Sequence, residues 1–297
     1  MKRLLVLTVL VALSAGAAFL AQRQKRQDLV SANALVDAEA DWQRDLTRVP
    51  MHYTRMSDAE EERIGAAIAV HYVEGAGDSN SEQRALESYV KRVGGRVAAH
   101  AHRTLDWRFH IIRDPQLVNA FALPGGHIFI GTGLLDQFRS EDELAFVLAH
   151  EIEHVDHYHA AERVQVEARL RHVGLQAIGS LAEIPLSIWQ AGYTKDEELE
   201  ADREGLRLAC ISGYSPQGAV DLMQRFAALD HDPVVHASTP TAELKQVTIQ
   251  GLTEYFRSHP PSSERLQRIQ VTIAQDHLQS RPLTPFHLEY EITADGR

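Results

Sequence analysis

Two imidazoles four residues apart, with a carboxylate beside the first, stand at His150-Glu151-Ile152-Glu153-His154. On an α-helix, residues four apart lie one above the other, so His150 and His154 share a face and can bind one tetrahedral zinc ion. Glu151 sits about 100° round the same helix, within reach of a water at that metal. The chemistry such a set supports is amide hydrolysis. Zinc lowers the pKa of its water and polarises the scissile carbonyl, while the glutamate takes the water's proton and passes it to the leaving amine. The pentapeptide also fits the inverted pattern H-x-x-E-H, in which Glu153 is the base.

A third protein ligand is needed. The metzincin pattern fails because Ala160 stands where its extended motif requires histidine. A glutamate is the remaining candidate, and the acidic helical run Lys195-Asp196-Glu197-Glu198-Leu199-Glu200-Ala201-Asp202-Arg203-Glu204-Gly205 offers several carboxylates. Glu198 and Asp202 are one turn apart on one face, so Glu198 can bind metal while Asp202 accepts the N–H of a ligating histidine. Glu200 points roughly 200° away from Glu198 and cannot share that duty. By composition alone the run also fits a solvated acidic helix face.

The helix that must carry the pentapeptide is expected on independent grounds. Ser140-Glu141-Asp142-Glu143 reads as a capping box, and Leu144, Val147, Leu148 and Val155 follow at helical spacing. Upstream, Met51 to Glu74 and Ala85 to Ala101 read as helices. Trp107 to Ile112 reads as a strand, and Ile128 to Ile130, after a Pro-Gly-Gly turn, as another. Helices dominate from there to about residue 278. The pattern predicts a helix-rich α+β domain with a small antiparallel sheet over the His150–His154 helix. His157 and His159 extend that helix and read as surface histidines or as hydrogen-bond partners behind the ligands.

Three further segments join the pentapeptide: the strand-turn run Asn119 to Leu135, the E-x-x-A-D run Glu198-Leu199-Glu200-Ala201-Asp202, and Ser258-His259-Pro260-Pro261 followed by Glu264-Arg265-Leu266. In order and spacing, over roughly residues 55 to 275, they resemble the gluzincin metallopeptidases. That family includes the CAAX prenyl proteases, the mitochondrial stress-activated inner-membrane protease and bacterial periplasmic quality-control proteases. The resemblance implies a zincin-like domain holding one zinc per chain through His150, His154 and Glu198, and it favours Glu151 over Glu153 as base. It also places His259 at the active site, either donating to the oxyanion of the tetrahedral intermediate or occupying the open zinc position in a resting, self-inhibited state. Arg265 is expected to steady that segment by pairing with a carboxylate that the sequence does not identify. Substrate backbone is expected to pair with an exposed edge at Gly126, His127, Ile128, Phe129 and Ile130, since strand addition holds a scissile bond in register with little demand on side chains.

The chain divides into residues 1–21, a signal peptide or N-terminal membrane anchor; 22–50, a linker or lead-in helix; 51–279, the metallopeptidase domain; and 280–297, a C-terminal tail. Lys2-Arg3 ahead of the uncharged run Leu4 to Ala21 has the layout of an export segment, which either is cut near Ala17 or tethers the chain through residues 4–21. Export implies a bacterial periplasmic domain, soluble or held at the inner membrane. The apolar stretch Val173 to Trp189 contains Glu183 and Pro185, which argue for a buried or site-covering hairpin and against a second span. Cys210, the single cysteine, reads as a free buried thiol. A formal charge of −11 disfavours nucleic acid and anionic lipid as partners. Unfolded or misassembled envelope proteins are the expected substrates. The rivals are a zinc-stabilised periplasmic chaperone or assembly factor that seldom cuts, and CAAX-type prenyl-protein processing.

Overall fold

The structure, a computed structural model, describes residues 56–73, 80–170, 193–230, 259 and 263–286, all within the compact unit Tyr53–Arg297. Helix α1, Asp58–Val73, begins at Ser57, whose Oγ accepts the Glu60 N–H while the Glu60 carboxylate accepts the Ser57 N–H. Its Ile64 and Ile68 are buried. Helix α2, Ser81–Ala98, opens on a reciprocal Asn80–Gln83 capping box and buries Val90, Val93 and Val97, a stripe at helical spacing.

Three strands follow: β1, Arg108–Ile112; β2, Ala120–Leu123; and β3, His127–Gly131. Their order is β1-β3-β2, with β2 antiparallel to β3 and β1 parallel to it, so the small sheet is mixed. The β2–β3 hairpin turns at Gly125 and Gly126, whose φ angles of 77° and 92° lie in the left-handed region that glycine adopts without Cβ strain.

The open edge expected at Gly126 to Ile130 is not there. His127, Ile128, Phe129 and Ile130 pair with Arg108 to Ile111 on one side and with Leu123 to Ala120 on the other. Gly126 lies in the turn, where its carbonyl accepts the Arg108 N–H at 2.8 Å. Sequence periodicity missed β2 as a separate strand because its four residues are all apolar and all buried, leaving no alternation to read.

One sheet face, with Phe109, Ile128 and Ile130, joins the larger core beneath α2 and helix α4, Glu141–Asp156. The other, with Phe121, Leu123 and Phe129, packs with Ile64 and Ile68 of α1 and with Ala161 and Val164 of helix α5, His159–Leu170. A one-turn helix α3, Thr132–Leu135, links β3 toward α4. Helix α4 packs against α2, β2, helix α6, Lys195–Ile211, and helix α7, Pro216–Asp230, while helix α8, Ser263–Gln275, lies on α6 and α7.

Only half of the capping box expected for α4 forms. Ser140 Oγ accepts the Glu143 N–H at 3.2 Å, but the Glu143 carboxylate accepts from the Arg139 N–H and from both Nη groups of Arg225. Residues at the start of the expected tail are tied down here too: Thr284 N–H donates to Asp142 and its carbonyl accepts the Glu141 N–H. Among the described residues no helix is long and apolar enough to cross a membrane. Residues 1–21, 22–50 and 173–189, with the expectations attached to them, lie outside the described residues. Cys210 is half-buried and free, and burial pushes its thiol up to about 11.

Candidate metal centre

Two helices supply the chemistry. In α4, every residue from Asp142 to Asp156 is buried, including His150, Glu151 and His154. Charged groups so deep are costly unless they meet partners or a metal. In α6, a reciprocal Thr194–Glu197 capping box uses the Glu197 carboxylate at the helix N-terminus, which removes it from the competition for the metal. The helices touch at Gly205, where a Cβ would lie 2.9 Å from His150 N and 3.0 Å from its Cα. Glycine there lets α6 approach closely enough for Glu198 and Asp202 to reach α4.

Ligand atoms of His150, His154, Glu198 and His259 all lie within 4.8 Å of one another. The two Nε2 atoms of His150 and His154 are 3.1 Å apart, and each is 3.6 Å from a Glu198 oxygen. His259 Nδ1 is 3.2 Å from His150 Nε2 and 2.9 Å from Glu198 Oε1. Imidazole and carboxylate donors converging on one buried point form a set that fits zinc. Glu151 stands beside it with neither carboxylate oxygen accepting a hydrogen bond among the described residues, and with Oε1 3.3 Å from His259 Nε2. Glu153 is engaged instead by His157 Nε2 at 3.1 Å.

Behind the cluster, His150 Nδ1 is 3.1 Å from Asp202 Oδ1. Arg265 donates to Asp202 through Nε and Nη2, both at 2.6 Å, and its Nη1 is 3.0 Å from Glu198 Oε2. The partner that the sequence could not name for Arg265 is therefore this pair of carboxylates. Burial alone raises a carboxyl's pKa, yet Arg265, with His150 beside it, holds Asp202 far below its usual range, and His259 with Arg265 lowers Glu198. At Glu151 burial outweighs the lowering by His259 and His150, and its pKa is raised. Burial disfavours the charged form of His259, but Glu198 and Glu151 outweigh it and raise its pKa. Burial pushes His154 well below the ordinary histidine value, and the neighbouring His150 adds to it.

Tyr193 escaped the sequence reading. Its ring stacks on that of His154 with centroids 3.6 Å apart, and the Arg163 guanidinium lies 4.6 Å from the Tyr193 ring centre. A tyrosine one residue ahead of a helix cap carries no sequence signal for such a role. Of the residues named from sequence, the structure brings together His150, Glu151, His154, Glu198, Asp202 and His259; the sheet residues Gly126 to Ile130 belong to the sheet pairing described above.

A fold of this kind, with paired histidines on one buried helix and a carboxylate from the next, defines a zincin-like metallopeptidase domain. The model for peptidase family M48 matches residues 80–273, and the chain belongs to that family. It is 29% identical to the mitochondrial metalloendopeptidase OMA1 of Schizosaccharomyces pombe over 208 residues, covering 67% of this chain and 56% of that protein. It is 28% identical to the beta-barrel assembly-enhancing protease of Yersinia pestis, covering 61% of this chain and 41% of the relative. Against the protease of the same name from Escherichia coli K12, identity is 30%, covering 47% and 32%. The chain thus spans from about a third to just over half of these relatives.

Proposed function

We propose that this chain is a zinc-dependent endopeptidase that cuts unfolded or misassembled proteins of the bacterial envelope, with His150, His154 and Glu198 as zinc ligands and Glu151 as base and acid. The observation that carries this reading is the convergence of those three donors beside a buried Glu151 whose oxygens accept no hydrogen bond among the described residues. When bound, zinc supplies a Lewis acid that polarises a carbonyl and lowers the pKa of water. The chain's own groups do the rest. Glu151 takes the proton of the attacking water and returns it to the leaving amine, Asp202 fixes the His150 ring, and Arg265 holds the Asp202 and Glu198 carboxylates in place. A substrate strand would add at β2, the outer strand packed on α4, because β3 is enclosed.

His259 fits the resting-state role better than the oxyanion role, since its Nδ1 already stands among the metal donors. In this reading His259 would help hold the metal in the resting chain and would withdraw when substrate enters. Envelope location rests on the leader-like residues 1–21 and on relatives named for β-barrel assembly. The discriminating experiment compares Glu151→Gln with Glu153→Gln in the full chain, measuring zinc content and cleavage of casein or an unfolded envelope protein. Glu151→Gln should keep its zinc and lose cleavage by a factor of about a hundred or more, while Glu153→Gln stays substantially active. The reverse pattern would establish the inverted motif, and a cellular role that survives Glu151→Gln would favour a chaperone. His259→Ala at matched zinc content should raise basal proteolysis. A loss of about a hundredfold would instead mark an oxyanion donor, and unchanged turnover would reject both roles.

A further inference from the structure

The two ligand histidines are supported differently. His150 has Asp202 behind it, but among the described residues no carboxylate stands directly behind His154; instead, His154 Nδ1 lies 3.0 Å from Nδ1 of another histidine, His159. His159 is itself buried, and its Nε2 is 3.4 Å from Oε2 of Glu200, a half-exposed carboxylate on α6.

This contact requires a break in the helix. Residues five apart on a continuous helix differ by roughly 140° in direction, so their side chains diverge. The chain leaves α4 at His157 and passes through Tyr158, a bulky residue in the left-handed region at φ 66°, before α5 begins at His159. A non-glycine residue is costly in that region and persists when its surroundings fix it. Here the Arg103 guanidinium lies 3.9 Å from the centre of the Tyr158 ring, and Arg103 in turn donates to the Val155 carbonyl and to Glu61. The strained residue turns the chain so that the His159 ring comes back beneath His154.

Proton placement follows from the contacts. For His154 to offer Nε2 to a metal, its own proton must sit on Nδ1, and the atom facing that proton is His159 Nδ1, which must then present a lone pair. His159 consequently carries its proton on Nε2, where an ionised Glu200 accepts it. We infer that His159 and Glu200 are positioning residues for His154: a hydrogen-bonded chain from the surface of α6 to the ligand that holds the imidazole in its metal-binding tautomer and orientation, a role that presupposes His154 as a zinc ligand. Glu200 thereby does for the second histidine what Asp202 does for the first, through an intermediate ring.

The test uses the full chain and zinc itself, with affinity measured by chelator competition and the His154 tautomer read from ¹⁵N imidazole shifts of the zinc-free protein. His159→Ala should weaken zinc binding by about ten- to a hundredfold and abolish the single Nδ1–H tautomer at His154. Glu200→Ala should weaken it by a smaller factor, and Glu200→Gln, whose amide oxygen still accepts the His159 N–H, should restore most of the loss. A merely structural role would leave the tautomer unchanged and would not be rescued by glutamine. Wild-type zinc affinity and tautomer in Glu200→Ala, a half-exposed site tolerant of substitution, would overturn the inference even if His159→Ala failed to fold. Glu198→Gln and His154→Ala separate the two claims: if both bind zinc like wild type, the metal site itself is misassigned; if both lose zinc while the His159 and Glu200 variants do not, only the positioning chain is wrong.

Discussion

Two pairs of histidines face each other in this fold at the same separation. On the sheet, His110 Nε2 is 3.1 Å from His127 Nδ1; at α4, His150 Nε2 is 3.1 Å from His154 Nε2. What stands next to each pair differs. The second nitrogen of His127 meets the Arg108 guanidinium at 3.1 Å, a donor that consumes its lone pair and repels cations. The α4 pair meets Glu198 and His259, which present lone pairs and, through the glutamate, negative charge. Burial, reinforced by neighbouring positive groups, pulls both sheet histidines down to about 4. Metal competence in this fold is therefore set by the partner of the imidazole pair, while the distance between the imidazoles decides nothing.

The sharpest way to break this contrast is by substitution on each side. His150→Ala and Glu198→Ala should each lose nearly all bound zinc in metal analysis of purified protein, whereas His110→Ala and His127→Ala should keep one zinc per chain. Zinc loss from a sheet variant that remains folded would dissolve the distinction. Next in size, Asp202→Ala should weaken zinc affinity by about ten- to a hundredfold, as expected for loss of the group that orients a ligand. Chelator titration checks it.

A smaller effect is expected from crowding the helix contact. Gly205→Ala places a methyl against the backbone of His150 and should destabilise the fold by about 1–3 kcal/mol in denaturant unfolding, with reduced zinc affinity from the shifted ligand. The last concerns acid. His110 and His127 titrate near 4 when folded and near 6.5 when unfolded, so between those values the unfolded chain binds more protons. Their contribution is intact above about pH 6.5 and is lost as the pH falls toward 4. His127→Gln should flatten that part of the stability profile, and an unchanged slope would remove the sheet pair from acid sensitivity.

How much of this was legible in the sequence depends on how local each relation is. His150, Glu151 and His154 could be read because four-residue spacing on a helix fixes their geometry without knowledge of the fold. Glu198 could be placed on a face with Asp202, but choosing it over Glu197 and Glu200 needed the family likeness; in three dimensions Glu197 serves the helix cap and Glu200 turns to His159. His159 could be read as a hydrogen-bond partner behind the ligands, but not as the partner of His154: the helix expected to run on through His157 and His159 breaks at Tyr158, whose left-handed backbone hydrophobic periodicity does not register. The central position of β3 was misread for a related reason: a short strand buried on both faces, such as β2, has no alternation, and without it β3 appears to lie at an edge. Arg265 was recognised as needing a carboxylate, yet its partners lie more than sixty residues upstream and only packing of α8 on α6 brings them together.

The most direct measurement is X-ray absorption at the zinc edge on the purified full chain, paired with zinc content. One zinc per chain is expected, surrounded by nitrogen and oxygen at about 2.0–2.2 Å with no sulfur near 2.3 Å, and with an imidazole contribution that falls in His259→Ala while the metal is retained. A sulfur scatterer from Cys210, or a normal zinc content in Glu198→Ala with an unchanged spectrum, would contradict a centre built from His150, His154 and Glu198.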